Sequence, residues 1–191
     1  MIAINNPFGN KYAPLELPEN TVIASMKAPE AIADPEKAIR MALKSPIGSE
    51  PLPSIALRKK QEKPSATAVI VVSDNTRPVP YRGNEGILMP VIDILLECGY
   101  ETGDITVLIA TGMHRPMSDA EIEKMLDPEV FRLGIKVINH EPRNKDRLVC
   151  AGTTGRGTRA MIDTAYADAD LKILTGLVES HFMAGASGGR K

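Results

Sequence analysis

The chain has 191 residues, which is long enough for one ordinary domain with its own hydrophobic core. Its 23 basic and 24 acidic side chains nearly cancel, and the formal net charge is -1. No extended positive field is therefore available to attract nucleic acid or an anionic membrane. An aromatic content of 4% without any Trp further disfavours a base-stacking surface.

The two cysteines, Cys98 and Cys150, lie in apolar stretches without C-x-x-C spacing, so we expect both to be buried and reduced. The amino terminus, MIAINNPFGNKY, lacks the apolar core of a signal peptide. The longest apolar run, ILMPVIDILLECG, is interrupted by Asp93 and is too short to cross a bilayer. We expect a cytoplasmic protein that does not bind membranes.

Residues 1–65 contain many prolines, and we expect them to form a loop-rich segment that packs on the same domain as the rest of the chain. Within this segment, TVIASM predicts a short strand. ADPEKAIRMALKSP predicts a helix, because Asp34 can cap its amino terminus and Pro35 fits the first turn. Pro46 then ends it.

From residue 66 to residue 191, apolar runs of strand length alternate with helical patterns. ATAVIVVS and DITVLIATG are typical of strands buried on both faces. EGILMPVIDILLECG predicts a helix that ends at Gly99, and a capping box from Ser118 to Glu121 begins a second helix, SDAEIEKML. The remaining predicted strands are GIKVIN, RLVCAG and LKILTG. This alternation predicts an α/β fold with a largely parallel, doubly wound, Rossmann-like sheet.

GRGTRA, at residues 155–160, matches the dinucleotide-binding pattern G-x-G-x-x-A. That pattern requires a helix after the glycines, but TRAMID is more typical of a strand. We therefore interpret GRG as the turn of a β-hairpin.

Polar segments follow three of the predicted strands: SDNTRPVP, TGMHRPMS and GLVESHFMAGASGGRK. Ligands of open α/β sheets bind beyond the carboxyl ends of the strands, so one site can draw on all three segments. In SDNTRPVP, Pro78 holds the backbone of Arg77 extended, and the Arg77 guanidinium can bind a carboxylate or phosphate. The alternative is an Asx-turn at Asp74 and Asn75 with a solvated Arg77.

His114 and His181 belong to the other two segments, and either one alone is more often structural or merely exposed. As a pair at one sheet edge they can serve as base and acid, which suits a racemase or an epimerase. His140 lies among charged residues, and we expect a solvated loop histidine. The glycine-rich tail fails the P-loop pattern because Arg190 replaces its last glycine, although its backbone could hold one phosphate or let a cofactor approach.

SDNTRPVP, ATGMHRPMSDAEI and GLVESHFMAGASGGRK, in this order and spacing, resemble the amino-terminal domain of the nickel-dependent lactate racemase family. The resemblance covers most of the chain from about residue 66 to the end. It implies a nickel pincer nucleotide, supplied by cofactor-synthesis proteins and tethered to Lys191 through a thioamide. It also implies that a 2-hydroxy acid loses a proton to a histidine and a hydride to the cofactor.

In that scheme His114 and His181 each serve one enantiomer, and Arg77 holds the substrate carboxylate. The cofactor site is implied at four consecutive residues, Asp74, Asn75, Thr76 and Arg77, together with Lys191. No protein ligand to the metal is implied within this sequence.

The family's enzymes are longer and carry a second domain, so we expect this chain to be the N-terminal domain of a larger two-domain enzyme and inactive alone. The alternative is a non-catalytic α/β module that binds an anionic metabolite or nucleotide at Arg77 and the glycine-rich tail. An enzyme requires both His114 and His181 to reach one ligand, whereas a binding module does not.

Overall fold

A computed structural model describes residues 1–24 and 30–188 of the chain. The chain divides into two compact units, residues 1–32 and residues 33–191. The expected packing of the amino-terminal segment on the rest of the chain stays a prediction. Among the helices that the structure describes, none combines the length and apolar character that a membrane crossing requires.

The first unit contains an antiparallel hairpin that the sequence analysis did not predict. Its strands are β1 (Ile2–Phe8) and β2 (Lys11–Leu17), with Ile2 opposite Leu17. Gly9 has a φ of 59°, the left-handed conformation that a two-residue hairpin turn needs. Residues 21–24 of the predicted strand TVIASM are irregular, and the rest of that segment lies outside the described residues.

The second unit begins with two helices. In α1 (Pro35–Lys44), Oδ1 of Asp34 accepts a hydrogen bond from the backbone N–H of Lys37, so the predicted cap is confirmed. Helix α2 (Leu52–Glu62) was not predicted, and it buries Leu52 and Ala56 in the core. Its segment begins with several prolines, which favoured a loop, although proline is tolerated in a first helical turn.

The central sheet has four parallel strands, which confirms the predicted parallel α/β fold, and their order is β5-β4-β3-β8. Its members are β3 (Ala68–Ser73), β4 (Ile105–Ala110), β5 (Lys136–Asn139) and β8 (Leu171–Leu174). The intervening helices are α3 (Leu88–Glu97), α4 (Asp119–Met125), α5 (Pro128–Arg132) and α6 (Thr164–Asp168). Gly99, with a φ of 88°, follows α3, and the capping box from Ser118 to Glu121 opens α4.

The main core lies on one face of this sheet. Ile70, Val72, Val107 and Ile109 of the strands belong to the same buried cluster as residues of α3 and α4. A smaller cluster on the other face contains Val69, Leu108 and Ala169, with Tyr166 of α6 packed against it. Because β3 and β4 are buried on both faces, they have the continuous apolar sequences from which they were predicted.

In the described part of the second unit, two hairpins lie outside the parallel sheet. RLVCAG was counted among the strands of the α/β pattern, and it forms β6 (Leu148–Thr153), which pairs antiparallel with β7 (Arg159–Asp163). The turn at residues 154–158 contains GRG, so the hairpin prediction is confirmed. Cys150 on β6 is only half-buried, contrary to the prediction, whereas Cys98 is buried. Near the carboxyl terminus, β9 (Glu179–His181) pairs with β10 (Gly185–Ser187).

Candidate functional site

The strand order creates a switch point between β3 and β8. From β3 the chain proceeds to β4 and β5 on one side, and it later adds β8 on the other side. An open cleft of about 390 Å³ lies beyond the carboxyl ends of β3, β4 and β8. We call it the switch-point cleft. Its polar lining comes from Ser73, Asp74, Thr76, Arg77, Thr111, His114, Thr175 and Ser187, with glycine backbone at residues 112, 176 and 188. This is where open α/β sheets bind ligands.

Asp74 is the buried anchor of this cleft, with 4% of its surface exposed. Its Oδ1 accepts hydrogen bonds from the backbone N–H and the hydroxyl of Thr76, which completes an Asx-turn. Burial alone would raise the pKa of Asp74, but the hydrogen bonds from Thr76 and His114 outweigh it and leave the pKa below its ordinary value. The carboxylate is therefore ionised at neutral pH.

His114 receives its orientation from Asp74. Its Nδ1 lies 2.6 Å from Oδ2 of Asp74, and the imidazole is about half exposed at 53%. An ionised carboxylate only accepts hydrogen bonds, so Nδ1 carries a proton and donates it. In the neutral ring Nε2 then has a free lone pair. His114 is thus held in the tautomer that can take a proton from a ligand in the cleft.

Arg77 lines the cleft with its side chain exposed. Its Nη1 donates to the backbone oxygen and the hydroxyl of Thr76, both at 3.2 Å. Within the described residues it has no carboxylate partner at ion-pair distance, so much of its guanidinium remains available. The predicted Asx-turn and a ligand-binding Arg77 are therefore compatible, although they were posed as alternatives.

Asn75 faces away from this group. Its Nδ2 donates to Oε1 of Glu121 at 3.4 Å, and it does not line the cleft. The structure thus brings together Asp74, Thr76, Arg77 and His114 among the predicted site residues. The role predicted for Asn75 at a cofactor stays a prediction.

Tyr81 is a residue that the sequence analysis missed. It is 1% exposed, and its hydroxyl accepts a hydrogen bond from the backbone N–H of Ser73 at 2.7 Å. The hydroxyl of Thr175, 3.0 Å away, uses its only proton on the backbone oxygen of Val71. Tyr81 must therefore donate to Thr175, and this chain of hydrogen bonds joins the ends of β3 and β8 beneath the cleft.

Glycine backbone forms one wall of the cleft. Gly188 has a φ of 79°, and a Cβ at this position would lie 1.8 Å from the backbone oxygen of Leu177. Only glycine fits there, because every other side chain would displace the neighbouring backbone. The predicted approach of a phosphate or a cofactor to the glycine-rich tail stays a prediction.

His181, the second predicted catalytic histidine, does not line the switch-point cleft. Its Nδ1 accepts hydrogen bonds from the backbone N–H groups of Met183 and Ala184, both at 3.2 Å. Its ring stacks on Phe182 with centroids 5.3 Å apart. Lys191 lies outside the described residues, as does Arg190, so the histidine pair and the tether stay predictions.

His140 is not the solvated loop histidine that was expected. Its Nδ1 lies 2.9 Å from Oδ2 of Asp163, a buried carboxylate 23 residues away along the chain. Its backbone oxygen accepts a hydrogen bond from the hydroxyl of Thr111 at 2.8 Å. The expectation failed because nothing in the local sequence NHEPRNKD indicates a partner on β7.

Neighbouring side chains brace the loop that carries His114. Asn139, at the end of β5, makes two side-chain hydrogen bonds to the backbone of Met117. Its Nδ2 donates to the backbone oxygen at 2.9 Å, and its Oδ1 accepts from the backbone N–H at 3.0 Å.

Within residues 1–24 and 30–188, no three His, Cys, Asp or Glu side chains form a group that could hold a metal ion.

The structure has an oriented imidazole, a free guanidinium and a glycine wall at the switch point of an α/β sheet. This arrangement is typical of open parallel sheets that bind small molecules. Comparison with known proteins narrows this class. This chain belongs to the family described as lactate racemase N-terminal domain, whose model matches residues 8–191.

Two curated relatives are lactate racemases, from Thermoanaerobacterium thermosaccharolyticum and Lactiplantibacillus plantarum. Each is 29% identical over 195 aligned residues, which cover 100% of this chain and 43% of the relative. The solved structure of the lactate racemase apoprotein from T. thermosaccharolyticum superimposes with a TM-score of 0.78 at 28% identity. That match covers 99% of this chain and 42% of the other. The chain therefore spans less than half the length of these relatives.

Proposed function

We propose that this chain is the N-terminal part of a 2-hydroxy-acid racemase or epimerase of the lactate type, an isomerase. The observation that supports it most directly is the 2.6 Å contact between Asp74 and Nδ1 of His114 at the switch-point cleft. It leaves Nε2 of His114 as the proton-transfer atom beside a free arginine. A hydroxy acid needs both groups, one for its hydroxyl proton and one for its carboxylate.

Each residue has a specific role in this proposal. Arg77 binds the substrate carboxylate and fixes the orientation of the hydroxyl group. His114 takes the hydroxyl proton at Nε2 and later returns it, while Asp74 stabilises the imidazolium that forms. His181 is proposed as the corresponding base for the opposite enantiomer. Tyr81 does not contact the substrate, and it positions the two strand ends that carry Arg77 and the glycine wall.

The proposed cofactor is a nickel pincer nucleotide, and the residues present fit such a group. The glycine backbone at Gly176 and Gly188 offers a wall on which a flat ring can lie, and the cleft of about 390 Å³ is of a size that holds small ligands. Asp74, Thr76 and Arg77 supply polar partners, and Lys191 is proposed as the covalent tether. When bound, such a cofactor supplies an acceptor for the hydride from the hydroxyl-bearing carbon.

We propose that racemisation requires a polypeptide of the relatives' full length and that the 191-residue chain alone is inactive. Cofactor-synthesis proteins are the further partners implied. The test uses the complete enzyme co-expressed with those proteins, and it measures intact mass and nickel content for wild type and Lys191→Ala. We expect a nucleotide-sized mass increase with nickel in the wild type only. An unmodified, nickel-free wild type with full racemase activity would contradict the tethered cofactor.

One observation favours a second candidate, a non-catalytic module that binds an anionic metabolite or nucleotide at Arg77. His181 does not line the cleft that contains His114, and a binding module needs only one of the two. An activity assay of the complete enzyme distinguishes the two candidates. Racemisation by the wild type that is lost in His181→Ala would support the racemase. Ligand binding without turnover would support the module.

A further inference from the structure

A second cleft adjoins the switch-point cleft, and nothing in the proposed racemase chemistry uses it. It has a volume of about 630 Å³ and lies between the loop after β4, residues 113–116, and the loop after β5, residues 140–144. We call it the loop cleft. His114 lines both clefts, whereas Asp74 and Arg77 line only the first.

His140 gives the loop cleft a fixed nitrogen group. Asp163 is 4% exposed, and its Oδ1 accepts a hydrogen bond from the backbone N–H of Ala165 at 2.9 Å. Its Oδ2 binds Nδ1 of His140, so Nε2 of His140 is the ring nitrogen left for a ligand. The backbone N–H of His140 donates to the backbone oxygen of Ile109 at 2.9 Å, which fixes the His140 backbone beside the end of β4.

The other charges around this cleft are mostly paired. Arg115 forms two hydrogen bonds with Glu121, at 2.8 and 2.6 Å. Glu141, the carboxylate on the cleft lining, is held by Arg147 at 3.0 Å and by Asn144 at 2.9 Å. Arg147 also lies 3.6 Å from Asp163.

Arg143 is the exception. It lines the cleft, is exposed, and makes no ion pair with any carboxylate among the described residues. A free guanidinium and an imidazole nitrogen therefore face one open space, on a loop whose other charges are already neutralised. Guanidinium N–H groups and a protonated imidazole together suit the oxygens of a phosphate. The Asp163 carboxylate at Nδ1 stabilises the imidazolium that forms when Nε2 of His140 takes up a proton to donate to the phosphate.

We propose that the loop cleft binds the phosphate group of a small phosphate monoester through Arg143 and Nε2 of His140. A volume of about 630 Å³ leaves room for the organic part of the ligand next to His114. The inference rests on His140, Asp163 and Arg143, so it stands or falls separately from the proposed racemase activity.

The test is a titration of the 191-residue chain with inorganic phosphate at constant ionic strength, followed by NMR of the histidine ring protons. The His140 signal is assigned from a His140→Gln spectrum. We expect a saturable shift of this signal, and we expect Arg143→Gln to weaken phosphate binding about tenfold, as a lost charge-assisted hydrogen bond does. The matched control Arg156→Gln, on the exposed turn between β6 and β7, should bind as wild type does.

Two outcomes overturn the proposal. One is a His140 signal that does not saturate with phosphate or that responds equally in Arg143→Gln. The other is an equal response to acetate at the same ionic strength, which would make the loop cleft a general anion surface. Because Arg143 is an exposed loop residue, its substitution leaves the fold intact and keeps the result interpretable.

Discussion

The two ends of the parallel sheet both carry charged side chains but use them differently. At the amino end, Lys60 lies 2.7 Å from Asp104, and Lys63 binds Asp170, which also accepts a hydrogen bond from the backbone N–H of Thr67. At the carboxyl end, Asp74 contacts Nδ1 of His114 and leaves its Nε2 free. The guanidinium of Arg77 has no carboxylate partner among the described residues. Charges that satisfy each other stabilise the fold, whereas incompletely paired charges remain available to a ligand.

Two buried tyrosines show the opposite difference, because the hydroxyl at the carboxyl end is the one with hydrogen-bond partners. Tyr81, at the carboxyl end, has its hydroxyl fully used in the hydrogen bonds that join β3 and β8. Tyr100, near the amino end, is 2% exposed, and its hydroxyl has no hydrogen-bond partner in the described part of the chain. Burial raises the pKa of Tyr100 to about 12, and Lys60 lies over its ring at 4.6 Å. Of the two buried tyrosine hydroxyls, the one at the site end is therefore the one with complete hydrogen bonding.

The largest effect is expected for Asp74→Asn in the complete enzyme. The amide no longer selects the His114 tautomer or stabilises its cation, so kcat for racemisation should fall about 10²- to 10⁴-fold. The matched control is Asp104→Asn, which removes a carboxylate at the other end of the sheet and should lower stability while leaving kcat unchanged. Chiral analysis of product together with thermal unfolding separates the two. A folded Asp74→Asn enzyme with the wild-type kcat would show that Asp74 does not act through His114.

Tyr81→Phe and Tyr100→Phe should differ in their free energy of unfolding. The first leaves the partly buried backbone N–H of Ser73 without its partner, which costs about 1–3 kcal/mol. The second removes an unsatisfied hydroxyl and should be neutral or slightly stabilising. Urea unfolding of both variants measures the difference, and equal destabilisation would mean that the Tyr81 hydrogen bonds contribute little.

Arg77→Lys should raise KM of the complete enzyme about tenfold with a smaller change in kcat. An ammonium cannot replace the two parallel hydrogen bonds of a guanidinium to a carboxylate. Arg156→Lys, on the exposed hairpin turn, serves as the matched control. An unchanged KM would remove Arg77 from substrate binding.

The smallest effect concerns acid stability at the amino end of the sheet. The backbone N–H of Thr67 and the ammonium of Lys63 lower the pKa of Asp170 to about 2. Since the folded pKa lies below the unfolded value, this stabilisation is complete above about pH 4 and is lost as the pH falls toward 2. Asp170→Asn should flatten the decline in unfolding free energy over this range. Asp146→Asn, at an exposed position of the 3-10 turn Lys145–Arg147, is the control, and an equal flattening there would assign the effect to net charge.

Local patterns predicted most of the sheet and part of the site. The apolar runs of β3 and β4 and the capping box at Ser118 depend on neighbouring residues, so the sequence contained them directly. The hairpin of β1 and β2 was missed because Pro7 and Pro14 interrupt its strands, which is tolerated in a ribbon with two open edges.

Contacts between segments that are distant along the chain were harder to predict from the sequence. Asp74 and His114 were placed at one edge by the strand pattern, but their 2.6 Å contact spans 40 residues of chain. Tyr81 and the pair of His140 with Asp163 had no local signal, because a tyrosine or histidine in a polar loop looks the same with or without a buried partner. Their partners are determined by the topology of the sheet and not by adjacent residues.

The position of β8 at the switch point also sets the order in which the site can form. Thr175 must reach Val71, 104 residues earlier in the chain, before the hydrogen bonds through Tyr81 can close. During synthesis β3, β4 and β5 leave the ribosome well before β8, so a nascent chain holds Asp74 and His114 without the wall that completes their cleft. Long-range closure of this kind is slow compared with local pairing. Ligand binding at the switch-point cleft would therefore report that the last strand of the sheet has been added.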